Sequence, residues 1–236
     1  MITIPANLHV VNARIAAACV VARRDSSTVT LLAVSKSWPA SAVRAAAAAG
    51  QRAFGESYVQ EALAKQAELA DLALEWHFIG PLQSNKTRPV AEHFAWVHSV
   101  ERLKIAERLA AQRPPGLPPL NVCVQVNVSG EASKSGCAPA AAPALCRAIA
   151  TLPRLRLRGL MAIPEPTRES ALADSTTRRR FAMLRELRDA LNAERAEGVA
   201  LDTLSMGMSD DMETAIMEGA TIVRVGTALF GERKSK

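Results

Sequence analysis

The sequence predicts an α/β fold: a single (β/α)8 TIM barrel with one extra helix in front of it. Eight short apolar runs alternate with helical segments along the chain, which is the pattern of repeated βα units. Several of these runs are continuously apolar, as strands of a parallel sheet covered on both faces are. The chain has 236 residues, close to the roughly 250 of one such barrel, so residues 1–236 are expected to form one domain. A doubly wound open sheet shares the alternation, which does not by itself show closure.

The first helix is expected over residues 7–24, where Leu8, Val11, Ile15 and Ala18 or Cys19 fall near helical spacing. Strands follow at Val29–Val34, Ala53–Phe54, Trp76–Ile79, Trp96–His98, Val122–Val126, Leu155–Leu160, Leu201–Leu204 and Thr221–Val225. Helices fall between them at Ser41–Ala49, Val59–Leu69, Asn85–Glu92, Ala106–Ala111, Ala140–Ala150, Arg178–Glu197 and Met212–Glu218. The alanine run Ala45–Ala49 is scaffold, closed by Gly50 as a C′ residue. Proline cannot continue a helix, so Arg113-Pro-Pro-Gly-Leu-Pro-Pro119 links the fourth barrel helix to the fifth strand.

Composition narrows the class. Hydrophobic residues make up 49% and charged residues 22%, a globular rather than a disordered balance. No apolar stretch is expected to reach the roughly 18 residues that span a bilayer, and no basic segment precedes an apolar block at the start. A cytoplasmic protein without a membrane partner is the expectation. The four cysteines, Cys19, Cys123, Cys137 and Cys146, form no C-x-x-C pair and no metal spacing with the histidines, so reduced thiols and no metal are expected. A net charge of +6 suits an anionic partner: nucleic acid, a membrane surface or a phosphorylated small molecule. Nucleic acid fits poorly, because aromatic residues are only 4% and the basic residues are scattered apart from Arg178-Arg179-Arg180 and the tail Arg233 to Lys236. The arginine run is expected to head its helix as a solvated face.

Barrel chemistry collects where strands end and the next loops begin. Lys36 ends the first strand and shares by alternation the face of Leu32 and Val34. Burial there lowers the pKa of a lysine and prepares its amine for a Schiff base; a rim lysine reaching solvent is the alternative. The segment Leu204-Ser205-Met206-Gly207-Met208-Ser209-Asp210-Asp211 joins the seventh strand to a helix start, where backbone N–H groups bind phosphate. The alternative is an ordinary capping box between Asp210 and Glu213. At the end of the eighth strand, Arg224 lies between apolar neighbours ahead of Gly226 and Thr227. It needs an acceptor, either a ligand or a structural carboxylate. Loops after strands seven and eight are the usual phosphate site of barrels, and strand one adjoins strand eight on closure. A lysine, an arginine and a phosphate cradle on one mouth match the aldehyde, ring nitrogen and phosphate of pyridoxal 5′-phosphate.

The motifs extend further: Ala33-Val34-Ser35-Lys36, Phe54 to Glu61, Trp76 to Lys86, Gln125 to Glu131, Lys134 with Gly136, and Gly159 to Pro164. With them the chain resembles, from Leu31 to Gly231, the pyridoxal phosphate homeostasis proteins, the YggS/PROSC-type family. Ser57 stands where that family usually has Asn. The resemblance implies a barrel like the N-terminal domain of alanine racemase, with pyridoxal phosphate held as a Schiff base on Lys36. It implies that Arg224 faces the ring nitrogen and that Ser209, Gly226 and Thr227, on the turn made by Gly207, hold the phosphate. Ser57, His77, Met161 and Met206 would line the pocket, and Lys134 is a candidate secondary site. Family members are regarded as cofactor carriers or regulators, so apo-forms of pyridoxal phosphate enzymes are expected partners of a monomer. A low-activity single-domain racemase or lyase is the alternative. An arginine at the ring nitrogen leaves the ring a poor electron sink. Racemases of this kind add a tyrosine from a second domain, whereas the sole tyrosine here, Tyr58, lies in the second barrel loop.

Overall fold

Thr3 opens the first helix, α1 (Ile4–Val21), by accepting from the N–H of Ala6 at 3.5 Å, and Pro5 occupies the first turn, where its missing N–H costs nothing. The helix therefore starts earlier than the apolar spacing alone suggests. It also ends earlier, because Arg23 turns left-handed at φ 53°. The computed structural model describes residues 3–130, 135–164, 170–194 and 200–232. Contrary to expectation, α1 is long and apolar enough by length and composition to cross a membrane. Its Leu8, Val11, Ile15, Ala18 and Cys19 are nevertheless buried, and α1 packs across the last two helices and the second. Each of the three large side chains in that stripe contributes roughly 1.5–3 kcal/mol by leaving water.

The strands run β1 (Thr30–Val34), β2 (Ala53–Glu56), β3 (Glu75–Phe78), β4 (Trp96–Val100), β5 (Leu120–Gln125), β6 (Leu155–Met161), β7 (Thr203–Ser205) and β8 (Ile222–Val225). All pair in parallel and in sequence order, and β1 pairs with β8 through Leu32 opposite Arg224 and Ala33 opposite Val225. The sheet is closed, which removes the open-sheet alternative. Around it lie α2 (Ala40–Ala48), α3 (Val59–Glu68), α4 (Thr87–His93), α5 (Leu103–Gln112), α6 (Ala142–Ala150), α7 (Ser170–Ala193), α8 (Met212–Met217) and α9 (Thr227–Phe230).

Strand alternation sorts the apolar residues into two cores. Leu31, Ala33, Phe54, Trp76, Phe78, Val122, Val124 and Leu204 pack outward beneath the helices. Leu32, Val34, Ala53, Ile79, Trp96, Cys123, Met161 and Ile222 fill the barrel. The Pro-rich segment links α5 to β5 as expected, and the buried Arg113 ties it down by donating to Pro118, Ala91 and Phe94 carbonyls at 2.7–2.9 Å. The helix expected from Arg178 begins at Ser170, so the arginine run sits inside α7 instead of at its head. It is not simply a solvated face: Arg178 pairs at 2.6 Å with the buried Glu218 at the end of α8, and Arg185 pairs with the same carboxylate. The four cysteines are all free.

Candidate functional site at the C-terminal mouth of the barrel

Lys36 lies two residues beyond the end of β1, half-buried. The backbone on both sides of it is fixed by one buried charge cluster. The Lys65 ammonium, on α3, donates to the Ser35 carbonyl at 2.7 Å, to Glu56 at 2.7 Å and to Glu61 at 2.6 Å. Ser35 Oγ donates to the same Glu56 oxygen at 2.6 Å, and the Ser37 N–H donates to Glu61 at 2.6 Å. Ser37 sits at φ 67°, a left-handed turn that this N–H bond helps to hold. Burial pushes the Glu56 carboxyl up, against the pull of Lys65 and Ser35, and its second oxygen is buried without a partner.

On the neighbouring strand, Arg224 is 4% exposed. Its terminal nitrogens donate to the Ser205 carbonyl at 2.6 Å, to Ser205 Oγ at 2.9 Å and to the Ala162 carbonyl at 2.8 Å. Every one of these acceptors is neutral, and no ion pair joins Arg224 among the described residues, so the structural carboxylate partner is not what holds it. Burial pulls its pKa down to about 10, countered by Asp211 and Cys123, and it stays cationic at neutral pH.

The loops after β7 and β8 meet where Ser209 Oγ accepts from the Ala228 N–H at 3.3 Å. Gly207, at φ 92°, makes the turn; a Cβ there would press on Ala215 at 2.5 Å, and its carbonyl accepts from the Arg224 N–H at 2.9 Å. The Asp210–Glu213 capping box does not form. Asp211 instead caps the turn by accepting from the Met208 N–H at 2.5 Å. Glu213 pairs with Arg14 of α1 at 2.7 Å, and Arg14 also donates to the Ser209 carbonyl at 2.9 Å. Asn7 of α1 donates to the Leu229 carbonyl at 2.9 Å. The N-terminal helix thus grips both loops.

The remaining expected residues divide. Met161 lies inside the barrel and is fully buried. Met206, expected to line the pocket, directly follows Ser205 at the end of β7 and is fully buried within the larger apolar core. His77 is inside, but both ring nitrogens are engaged, with Glu75 at 2.8 Å and His98 at 2.9 Å, and its ring stacks on Trp96. This is the structural role that a strand histidine usually has. Ser57 is half-buried in the loop after β2, where its backbone backs onto Gly80. Lys134 and its neighbour Glu131 lie outside the described residues. Sequence reasoning missed Glu56, Lys65, His98, Ser205, Arg14 and Asn7. Only the Glu61–Lys65 spacing of four on one helix carried a signal.

Pyridoxal phosphate fits this mouth. Lys36 and Arg224 come from adjacent strands, and Arg224 makes its bonds from the terminal nitrogens, which leaves the Nε–H for a ring acceptor. Gly226 adopts an ordinary φ of −113°, and a Cβ on it would meet Val34 at no less than 3.4 Å. Among the described residues nothing demands glycine there, and the missing side chain leaves that backbone open to a ligand.

Known proteins resemble this chain along nearly its whole length. Residues 11–234 match the family described as alanine racemase, N-terminal domain. A pyridoxal phosphate homeostasis protein from Pseudomonas aeruginosa is 68% identical over 99% of this chain and 97% of its own, and one from Escherichia coli is 53% identical over 96% and 95%. Among solved structures, PipY of Synechococcus elongatus PCC7942 with pyridoxal phosphate bound is 42% identical, with a TM-score of 0.76 over 92% of this chain and all of PipY. Alanine racemase from Corynebacterium glutamicum, at 17% identity and a TM-score of 0.65 over 94% of this chain and 62% of that one, shares the fold.

Proposed function

This chain belongs to the pyridoxal phosphate homeostasis protein family, and from that premise we propose that it binds pyridoxal 5′-phosphate at the C-terminal mouth of its barrel and acts as an intracellular carrier or buffer of the cofactor. When bound, the cofactor supplies an aldehyde that condenses with a primary amine, with loss of water, and a ring nitrogen that accepts a hydrogen bond. Lys36 provides the amine, held in register by the Lys65 cluster on either side of it. Arg224 donates to the ring nitrogen. Ser209, Gly226 and Thr227 hold the phosphate at the junction sealed by Ala228, on the turn that Gly207 makes. Met161 and Ser57 form walls.

The observation that carries this reading is Arg224: a buried guanidinium with only neutral protein acceptors, one strand from Lys36. A donor fixed as a cation stabilises the ring without protonating it, which suits holding the cofactor more than turning over amino acids. The protein is proposed to work as a cytoplasmic monomer, with apo-forms of pyridoxal phosphate enzymes as recipients and Lys134 assisting release. The test mixes cofactor-loaded protein with a defined apoenzyme, with and without a scavenger of free cofactor. Activation of the apoenzyme that persists with scavenger supports direct transfer; activation abolished by scavenger reduces the role to buffering. Incubating the loaded protein with amino acids and following α-deuterium exchange tests the racemase or lyase alternative on the same preparation.

A further inference from the structure

A line of polar side chains crosses the barrel interior from its N-terminal end to Arg224. Glu75, half-exposed at the start of β3, meets His77 Nε2 at 2.8 Å. His77 Nδ1 meets His98 Nε2 at 2.9 Å, and His98 Nδ1 meets Ser205 Oγ at 2.7 Å. Ser205 Oγ accepts from Arg224 at 2.9 Å. His77, His98, Ser205 and Arg224 are at most 4% exposed. We infer that Glu75, His77, His98 and Ser205 form a one-way hydrogen-bonded chain that positions Arg224 and carries to it, from the opposite mouth of the barrel, the influence of a compensating carboxylate.

The direction follows from the two ends. An ionised carboxylate only accepts, and a guanidinium only donates. The Glu75 carboxyl is held low by His77, with help from the Trp96 indole and Arg158, so it is ionised at neutral pH. Burial holds both imidazoles neutral, His98 well below its ordinary range with His77 and Arg224 adding to the effect. A neutral His77 must then carry its proton on Nε2, facing Glu75, and accept at Nδ1. His98 in turn must donate from Nε2 and accept at Nδ1, so Ser205 donates its hydroxyl proton to His98 and accepts from Arg224. The reverse polarity would aim the Nε2 lone pair of His77 at a carboxylate. Each link polarises the next in the low-dielectric interior. Other charged groups act at both ends: Arg158, paired with Asp202 at 2.8 Å and lying over the Trp96 ring, helps to hold the Glu75 carboxyl low, and Asp211 faces Arg224.

The consequence for the cofactor rests on the proposed contact between Arg224 and the ring nitrogen. On that reading, Glu75 through His98 are positioning residues: none touches the ring, yet together they set the orientation and donor strength of the group that does. Two measurements test the chain. Nitrogen-15 NMR of the cofactor-free protein should show both His77 and His98 protonated on Nε2 and not on Nδ1. In Glu75→Gln, whose side chain is half-exposed and sits at a strand end, the amide can donate as well as accept, and the His98 proton should shift toward Nδ1. Wild-type protein with an Nδ1-protonated ring at either position, or a Glu75→Gln variant with unchanged tautomers, overturns the chain. The second measurement loads wild type, Glu75→Gln and Ser205→Ala with pyridoxal 5′-phosphate and compares absorption maxima. Both variants should shift the band although neither residue touches the ring. Altered tautomers with an unshifted band would keep the chain and overturn the contact between Arg224 and the ring.

Discussion

Arg224 bears on the site and on the fold at once. Its terminal nitrogens satisfy the carbonyls of Ser205 and Ala162, ending β7 and following β6. In Arg224→Gln a shorter amide cannot reach both; the Ser205 carbonyl keeps the Ala162 N–H at 3.2 Å, while a buried Ala162 carbonyl left unpaired costs about 1–3 kcal/mol. The variant should fold, lose stability of that order in urea titration, and bind pyridoxal phosphate with a shifted absorption band. An identical band and affinity would mean that Arg224 serves the scaffold alone. Residues such as Lys36 and Arg224 were legible because a charge at the end of an apolar strand breaks the pattern around it. Ser205 and His98 break nothing: a serine in Leu204-Ser205-Met206 and a histidine in Trp96 to Val100 read as ordinary strand, and their roles exist only in the distances that barrel closure creates.

Among the elements, α1 and α3 do more than cover the barrel. Arg14 of α1 holds the Ser209 carbonyl and pairs with Glu213, both partners being more than a third exposed. Solvent screens such a pair, so Arg14→Ala should cost about 1 kcal/mol or less in stability. It should weaken cofactor binding more clearly, because the phosphate loop loses its brace; titration of cofactor-free protein with pyridoxal phosphate beside thermal melting reads both. In α3, Lys65 neutralises the fully buried Glu56. Lys65→Met leaves that carboxylate buried without its partner, and a destabilisation of about 3–5 kcal/mol is expected by urea denaturation at neutral pH. A loss below 1 kcal/mol would show that Glu56 is already protonated in the folded state. The apolar spacing made α1 visible, but not its bounds, which Thr3, Pro5 and Arg23 decide. Its grip on the loops after β7 and β8 depends on barrel closure, bringing residues 7 and 14 against residues more than 190 positions away.

For the whole molecule, the buried histidines make stability depend on acid. His77 and His98 are both held below the ordinary value of 6.5 in the folded protein, chiefly by burial. An unfolded chain takes up protons at both near that value while the folded one does not, so stability is fully present above pH 6.5 and falls as the pH drops below it. With two protons the slope approaches about 2.7 kcal/mol per pH unit. Urea unfolding between pH 7.5 and 5 should show this decline in wild type, and a His98→Asn variant should show about half the slope. A flat profile would contradict neutral buried imidazoles. The eight strands were readable because eight apolar runs alternate with helical segments, whereas closure was not, since an open sheet shares that alternation. The hydrophilic file inside the barrel was not, since Glu75 and His77 alternate with apolar residues on β3 just as a half-exposed strand does.

The most direct test of the account is covalent. Protein loaded with pyridoxal 5′-phosphate is reduced with borohydride, digested, and the pyridoxyl group is located by peptide mass mapping. The account predicts one dominant adduct, on Lys36 at the end of β1, absent from a Lys36→Ala variant that keeps the wild-type melting curve. A dominant adduct on any other lysine, or an equal yield in Lys36→Ala, would contradict the placement of the site at this mouth of the barrel.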